Sequence, residues 1–162
     1  MRTLSFDPGK TTASWAVFDS KRLVASGTLT HQIDDLRALY LAPKLKAHLD
    51  ELDRLFVRYR PTALVYERMT PRPGRGSGAS AEYVNFQIGL LVRTAAVHRC
   101  FRITPVMPSV WKCWIARNYL GLAKLDRPVS QVLGIASKGK HDHLNHVADA
   151  IGIGLWCVRS DG

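Results

Sequence analysis

The sequence predicts an α/β fold: a five-stranded mixed sheet flanked by helices, formed by a single domain over residues 1–162. Short apolar, β-prone runs bounded by turn residues mark the strands, while longer segments with apolar residues every three or four positions mark the helices. The length and the 46% hydrophobic content supply a core, because a chain of this size buries roughly 70% of the surface that its unfolded form exposes.

The first strand, ending Leu4-Ser5-Phe6-Asp7, delivers a carboxylate to a strand end, and Pro8-Gly9 then turns the backbone away. Residues 13–18 and 23–29 read as two further strands joined by the polar turn at 19–22, which gives an opening three-stranded antiparallel meander. Leu45, Leu49, Leu52, Leu55, Phe56 and Tyr59 recur at helical spacing and predict a helix over 41–59. Arg60-Pro61 ends it, and Thr62-Ala63-Leu64-Val65-Tyr66 forms a fourth strand that finishes on Glu67. A strand that follows a crossover helix runs parallel to its neighbour, so Glu67 is expected at the same sheet end as Asp7. Residues 68–80 are rich in Gly, Pro and Arg and read as a basic loop that orders on phosphate.

A helix over 81–99 is apolar on more than one face, which points to a central position or to a surface shared with a second copy of the chain. A fifth strand over 101–107 and a helix capped by Ser109 follow, the latter carrying Trp111 and Trp114 as core residues and Lys112 as a candidate phosphate contact. Another helix is expected over 127–135 and the last over 142–156, with the basic loop 136–140 between them. On that last helix Asp142, Asn145, His146 and Asp149 are spaced to share one face.

Charge narrows the function. There are 23 Lys+Arg against 13 Asp+Glu, a net +10 with a pI near 10.0, and such an excess attracts polyanions, of which nucleic acid is the commonest in a cell. No apolar run reaches the length of a membrane span, and Met1-Arg2 leads straight into a strand without a signal-peptide pattern, so an intracellular, cytoplasmic, nucleoid-associated protein is expected. Cys100, Cys113 and Cys157 are odd in number and widely spaced, which argues against a disulfide framework and a zinc site.

Three readings compete for the Asp7 turn. Gly9-Lys10-Thr11 suggests a phosphate-binding P-loop, but that pattern needs Gly where Leu4 stands. Asp-x-Gly-x-Thr also resembles the phosphate loop of sugar-kinase and actin-like ATPases, although this chain would hold only about half of their body. A turn without function is the third. Asp7, Glu67, His146 and Asp149, drawn from separated segments, suit instead a two-metal site, in which carboxylates hold two cations about 3.5–4 Å apart.

The order of strands and helices is that of a ribonuclease H-like fold. Leu4-Ser5-Phe6-Asp7-Pro8-Gly9, Ala63-Leu64-Val65-Tyr66-Glu67 and His146-Val147-Ala148-Asp149-Ala150 resemble the three acidic motifs of the RuvC-type Holliday junction resolvases, in family order and at family-like separations. The resemblance implies that Asp7, Glu67, His146 and Asp149 bind two Mg²⁺ or Mn²⁺ ions, with Lys112 catalytic beside the scissile phosphate. Arg72, Arg75, Lys112, Lys124, Lys138 and Lys140 would contact DNA. It also implies a homodimer that cuts a four-way junction by paired symmetric nicks. Asp142 would serve either as a ligand or as the group that orients His146. Two departures stand out: Thr70 replaces the Phe that many bacterial members carry three residues after the strand-end Glu, and the Arg-Gly stretch at 71–78 is closer to a phage or divergent branch. Other branched DNA, flaps or RNA–DNA hybrids as substrate, and a catalytically silent junction-binding protein, are the alternatives.

Overall fold

A computed structural model of the chain describes residues 1–9, 11–33, 38–69, 78–137 and 142–160. Strands β1 (Arg2–Asp7), β2 (Ser14–Asp19) and β3 (Arg22–Thr28) form the antiparallel meander, followed by helix α1 (Ala38–Tyr59) and strand β4 (Ala63–Glu67). Helix α2 (Gly78–Val97), strand β5 (Arg102–Val106), helix α3 (Pro108–Ile115), a π-helical turn (Ala116–Leu120), the short α4 (Val129–Val132) and the long α5 (His143–Ser160) complete the order. The sheet runs β3-β2-β1-β4-β5, with β4 parallel to both β1 and β5. It is the five-stranded mixed sheet flanked by helices that the sequence predicts.

Strand periodicity divides the molecule into two layers. Successive side chains on a strand point to opposite faces, so Leu4, Phe6, Val17 and Leu64 pack against Leu52, Leu55 and Phe56 of α1 and Leu91 and Ala95 of α2. On the other face Ala16, Phe18, Val65 and Val106 pack against Trp111 and Ile115 of α3 and against Ala148, Ile151 and Leu155 of α5. Thr3, Ser5 and Asp7 alternate with the first set and therefore belong to the α5 face.

α5 lies close to the sheet for a stated chemical reason. Ser5 Oγ donates to the carbonyl of Ala150 at 2.7 Å, and that contact needs a helix surface without bulk. Gly154 supplies it, since a Cβ there would stand 2.7 Å from both Phe18 Cδ2 and Ser5 Oγ. Gly152 does the same for Trp111, whose Cζ3 would lie 2.7 Å from an added Cβ.

Three local expectations need correction. Met107 is the N-cap of α3 and Pro108 its first residue, so the helix begins before Ser109; proline fits that position because its fixed φ is helical and its missing N–H has no bond to make there. α4 has four residues instead of the nine expected over 127–135. Pro128 disfavours a helical residue before it, and Gly134 at φ 68° leaves the helical region on the other side. α1 begins three residues ahead of the predicted start and continues through Pro43.

β5 closes one side of the sheet. The Val106 carbonyl accepts from Arg68 N–H at 2.8 Å on the β4 side, so alternate residues Ile103 and Pro105 present their backbone groups outward. Gly154→Ala is expected to destabilise the chain by about 1–3 kcal/mol through overpacking, read as a lower urea midpoint at unchanged m-value. An unaltered midpoint would mean that α5 does not sit this close to the sheet.

Candidate active site

Asp7 and Glu67 end neighbouring parallel strands whose register pairs Phe6 with Tyr66 one residue earlier. The same alternation that sends Leu4, Phe6 and Leu64 to the α1 face sends both carboxylates to the α5 face. The strand-end arrangement expected from sequence is thus present in the backbone. Pro8-Gly9 turns the chain away immediately afterwards; a Cβ on Gly9 would collide with the Thr12 carbonyl, so only glycine fits this turn.

α5 brings the other candidates. His146 Nδ1 lies 3.3 Å from Asp7 Oδ2, and Asp149 Oδ2 lies 3.9 Å from Lys112 Nζ. Glu67 is held from a third direction, because the Trp111 indole N–H donates to its Oε2 at 2.8 Å. Lys112, the next residue of α3, places its ammonium 4.9 Å from the centre of the Trp111 ring. Asp7, Glu67, His146, Asp149 and Lys112 therefore share one end of the sheet.

Their electrostatics follow from burial. Asp7 is 6% exposed, and its pKa is raised, first by desolvation, against the lowering effects of the His146 hydrogen bond and of Lys112. Glu67 is raised by desolvation and then by Asp7, opposed by Lys112 and by the Trp111 hydrogen bond. Asp149 is pushed up to about 7, by desolvation first and then by Asp7 and Glu67. His146 shifts upward through its hydrogen bond to Asp7, although desolvation works against it. Asp7 makes both Glu67 and Asp149 harder to ionise, and Glu67 adds to the effect on Asp149.

This is a donor set with unmet demand for positive charge. Hard divalent cations take oxygen ligands, and three desolvated carboxylates with one imidazole fit that chemistry. In the present rotamers no three His, Cys, Asp or Glu side chains among the described residues converge closely enough to hold one ion. Lys112 supplies part of the missing charge, since it lowers the pKa of Asp7, Glu67 and Asp149 alike.

The other candidates fall elsewhere. Asp142 precedes α5; its Oδ1 accepts from Leu144 N–H at 3.1 Å and lies 3.2 Å from His143 Nδ1. It serves the helix N-terminus, and Asp7 places a carboxylate beside His146. Asn145 accepts from the Ser130 hydroxyl at 2.6 Å, tying α5 to α4. Lys124 is exposed in the irregular stretch after Gly121. Thr70, Arg72, Arg75, Lys138 and Lys140 lie outside the described residues. Sequence reasoning treated Trp111 only as core and missed its bond to Glu67, a residue 44 positions away that it meets only through tertiary packing.

No protein-family model matches the sequence, and no curated protein matches it. Solved structures do. Thermus thermophilus RuvC in complex with a Holliday junction substrate superposes with a TM-score of 0.71 at 17% identity, covering 99% of this chain and 96% of that one. The yeast mitochondrial Holliday junction resolvase Ydc2 gives 0.70 at 13% identity, covering 97% and 77%. The chain thus has the ribonuclease H-like α/β fold in the form seen in RuvC-type resolvases.

The raised Asp149 pKa has a consequence for stability. Between the ordinary carboxylate value of 3.8 and about 7 the native state holds a proton that the unfolded chain releases, so stability falls as pH rises through that window. Asp149→Asn, which cannot ionise, is expected to raise the melting temperature at pH 8 in metal-free buffer, with the gain shrinking as pH falls toward 3.8. The gain at pH 8 is on the order of 1–3 kcal/mol. A variant no more stable than wild type at pH 8 would contradict the burial of this charge.

Proposed function

We propose that the chain is a divalent-metal-dependent endonuclease that binds four-way DNA junctions as a homodimer and resolves them by paired symmetric nicks. The observation that carries this reading is the placement of Asp7, Glu67, His146 and Asp149, from two parallel strands and one helix, at one end of the sheet in a fold shared with Holliday junction resolvases.

Asp7, Glu67, Asp149 and His146 would hold two Mg²⁺ or Mn²⁺ ions. Such ions, when bound, lower the pKa of water to make a nucleophile and stabilise the leaving oxygen of an in-line displacement. The chain's own groups then have definite tasks. Asp7 orients the His146 ring through Nδ1, at 3.3 Å. Lys112 is the mobile charge: it neutralises Asp149 at 3.9 Å in the free protein and is long enough to turn to a phosphate once cations take over that role. The sheet and α5 fix the backbones that carry the carboxylates, so side-chain rotation is what would bring them onto the ions.

The DNA path is supported by a cleft of about 670 Å³ that opens beside Lys112 and Asp149 and is bordered by Arg127, Gln131 and Asn145. The net charge of +10 supplies sequence-independent affinity for phosphates, to which Lys124, Arg72, Arg75, Lys138 and Lys140 would contribute. The outward side of α2 supports a homodimer: Phe86 is half-buried, Val97 is 63% exposed, and nothing stands within 4 Å of a Cβ built on Gly89. Two sites fixed on one dimer would select branched DNA by geometry.

Incubation of a labelled immobile four-way junction with the protein in Mg²⁺ is expected to give two symmetric nicks, with matched linear duplex, flap and RNA–DNA hybrid cut far less. Asp7→Asn should abolish cleavage and preserve junction binding. Equal cutting of flaps or hybrids would replace the substrate, and binding without cleavage in Mg²⁺ or Mn²⁺ would remove the nuclease reading. Junction affinity should also fall steeply with salt, with a log–log slope near −0.9 for each phosphate neutralised; an affinity indifferent to salt between 50 and 200 mM would exclude phosphate-dominated binding.

A further inference from the structure

Trp111 combines two properties that seldom meet in one side chain. It is fully buried, at 0% exposure, and its indole N–H donates to a carboxylate of the candidate ion site, Glu67 Oε2, at 2.8 Å. A buried indole needs one acceptor for its N–H, and a backbone carbonyl or neutral side chain would serve. Here the acceptor is the carboxylate that ends β4.

The ring is also locked. Gly152 of α5 forms the notch that receives it, since a Cβ there would lie 2.7 Å from Trp111 Cζ3 and 3.3 Å from Val129 Cγ1. Val65, Val106 and Ile115 belong to the same packed cluster. The indole cannot swing without disturbing α5, and the N–H therefore has a fixed direction. The next residue extends the arrangement, because Lys112 lies over the Trp111 ring and reaches Asp149. One short stretch of α3 thus holds two of the three carboxylates.

We propose that Trp111 is a positioning residue for the ion site: its N–H fixes Glu67 through Oε2 and leaves Oε1 as the oxygen offered to a cation. This rests on the reading that Asp7, Glu67 and Asp149 hold divalent ions. Groups that hydrogen-bond to ligands in this way orient them, and their loss typically weakens metal affinity by about 10–100-fold. The same bond makes the indole a reporter, since charge arriving at Glu67 polarises the N–H that it accepts.

The test uses the full chain with ¹⁵N-labelled tryptophan side chains, titrated with Mg²⁺ by NMR and by calorimetry. The Trp111 indole resonance, assigned by its disappearance in Trp111→Phe, is expected to shift in step with the calorimetric isotherm. Trp111→Phe should bind Mg²⁺ about 10-fold more weakly and need correspondingly more Mg²⁺ for junction cleavage, with most of the wild-type kcat restored at saturation. In a Glu67→Gln background the same change should have no further effect on Mg²⁺ binding. If Trp111→Phe does not fold, 3-benzothienylalanine at position 111 keeps the ring shape and removes only the N–H. Wild-type Mg²⁺ binding with an unmoved indole resonance, or with equal affinity in the N–H-free variants, would overturn the positioning role and leave the nuclease reading standing. A wild-type chain that binds no Mg²⁺ would overturn the ion-site reading itself.

Discussion

The close approach of α5 to the sheet is the constraint on which the remaining structure depends. Ser5 Oγ reaches the Ala150 carbonyl only because Gly154 leaves room beside Phe18, and Gly152 admits the Trp111 ring from the other direction. With the helix set at this height, His146 and Asp149 arrive at the ends of β1 and β4. A bulkier helix surface would stand farther off and separate His146 from Asp7. The packing of glycine against aromatic rings deep in the core therefore sets the spacing of charges at the edge.

That spacing works against stability. Asp7, Glu67 and Asp149 are all harder to ionise than in water, and the free energy of desolvating them is drawn from the apolar cluster beneath. Lys112 and His146 offset part of it by proximity. Buried like charges without a structural purpose are rare, because replacing them by neutral groups of similar shape is usually stabilising. Their retention at a strand-end cleft in a strongly basic chain is what sets this cluster apart from an ordinary surface group of acids.

Much of this was legible in the sequence because it follows from short-range rules. Strand alternation and the Pro8-Gly9 turn locate Asp7, the crossover rule brings Glu67 beside it, and helical spacing joins His146 to Asp149. The helix limits around Ser109 and over 127–135 were misread because the local chemistry of Pro108, Pro128 and Gly134 outweighed apolar periodicity. Asp142 lay on the right helical face by spacing but precedes the first residue of α5, where its carboxylate meets the Leu144 N–H. Nothing in the sequence disclosed the bond between Trp111 and Glu67, since the partners are 44 positions apart and meet only through tertiary packing. His48 and Glu51 also act through tertiary contacts: they fasten residues 30 and 31 to α1, Glu51 through two backbone N–H groups at 2.8 Å and His48 through the His31 carbonyl at 2.7 Å.

The outward-facing Pro105 of β5 has a further consequence for assembly. A strand can be extended by a neighbour only where N–H groups alternate with carbonyls along its free edge, and proline removes one of those donors. β5 spans five residues, so a single missing donor interrupts a large share of its short free edge. Two copies cannot readily merge their sheets into one continuous sheet across this boundary. Any association on this side would fall to helical surfaces, where side-chain shape and not strand register would set the distance between copies.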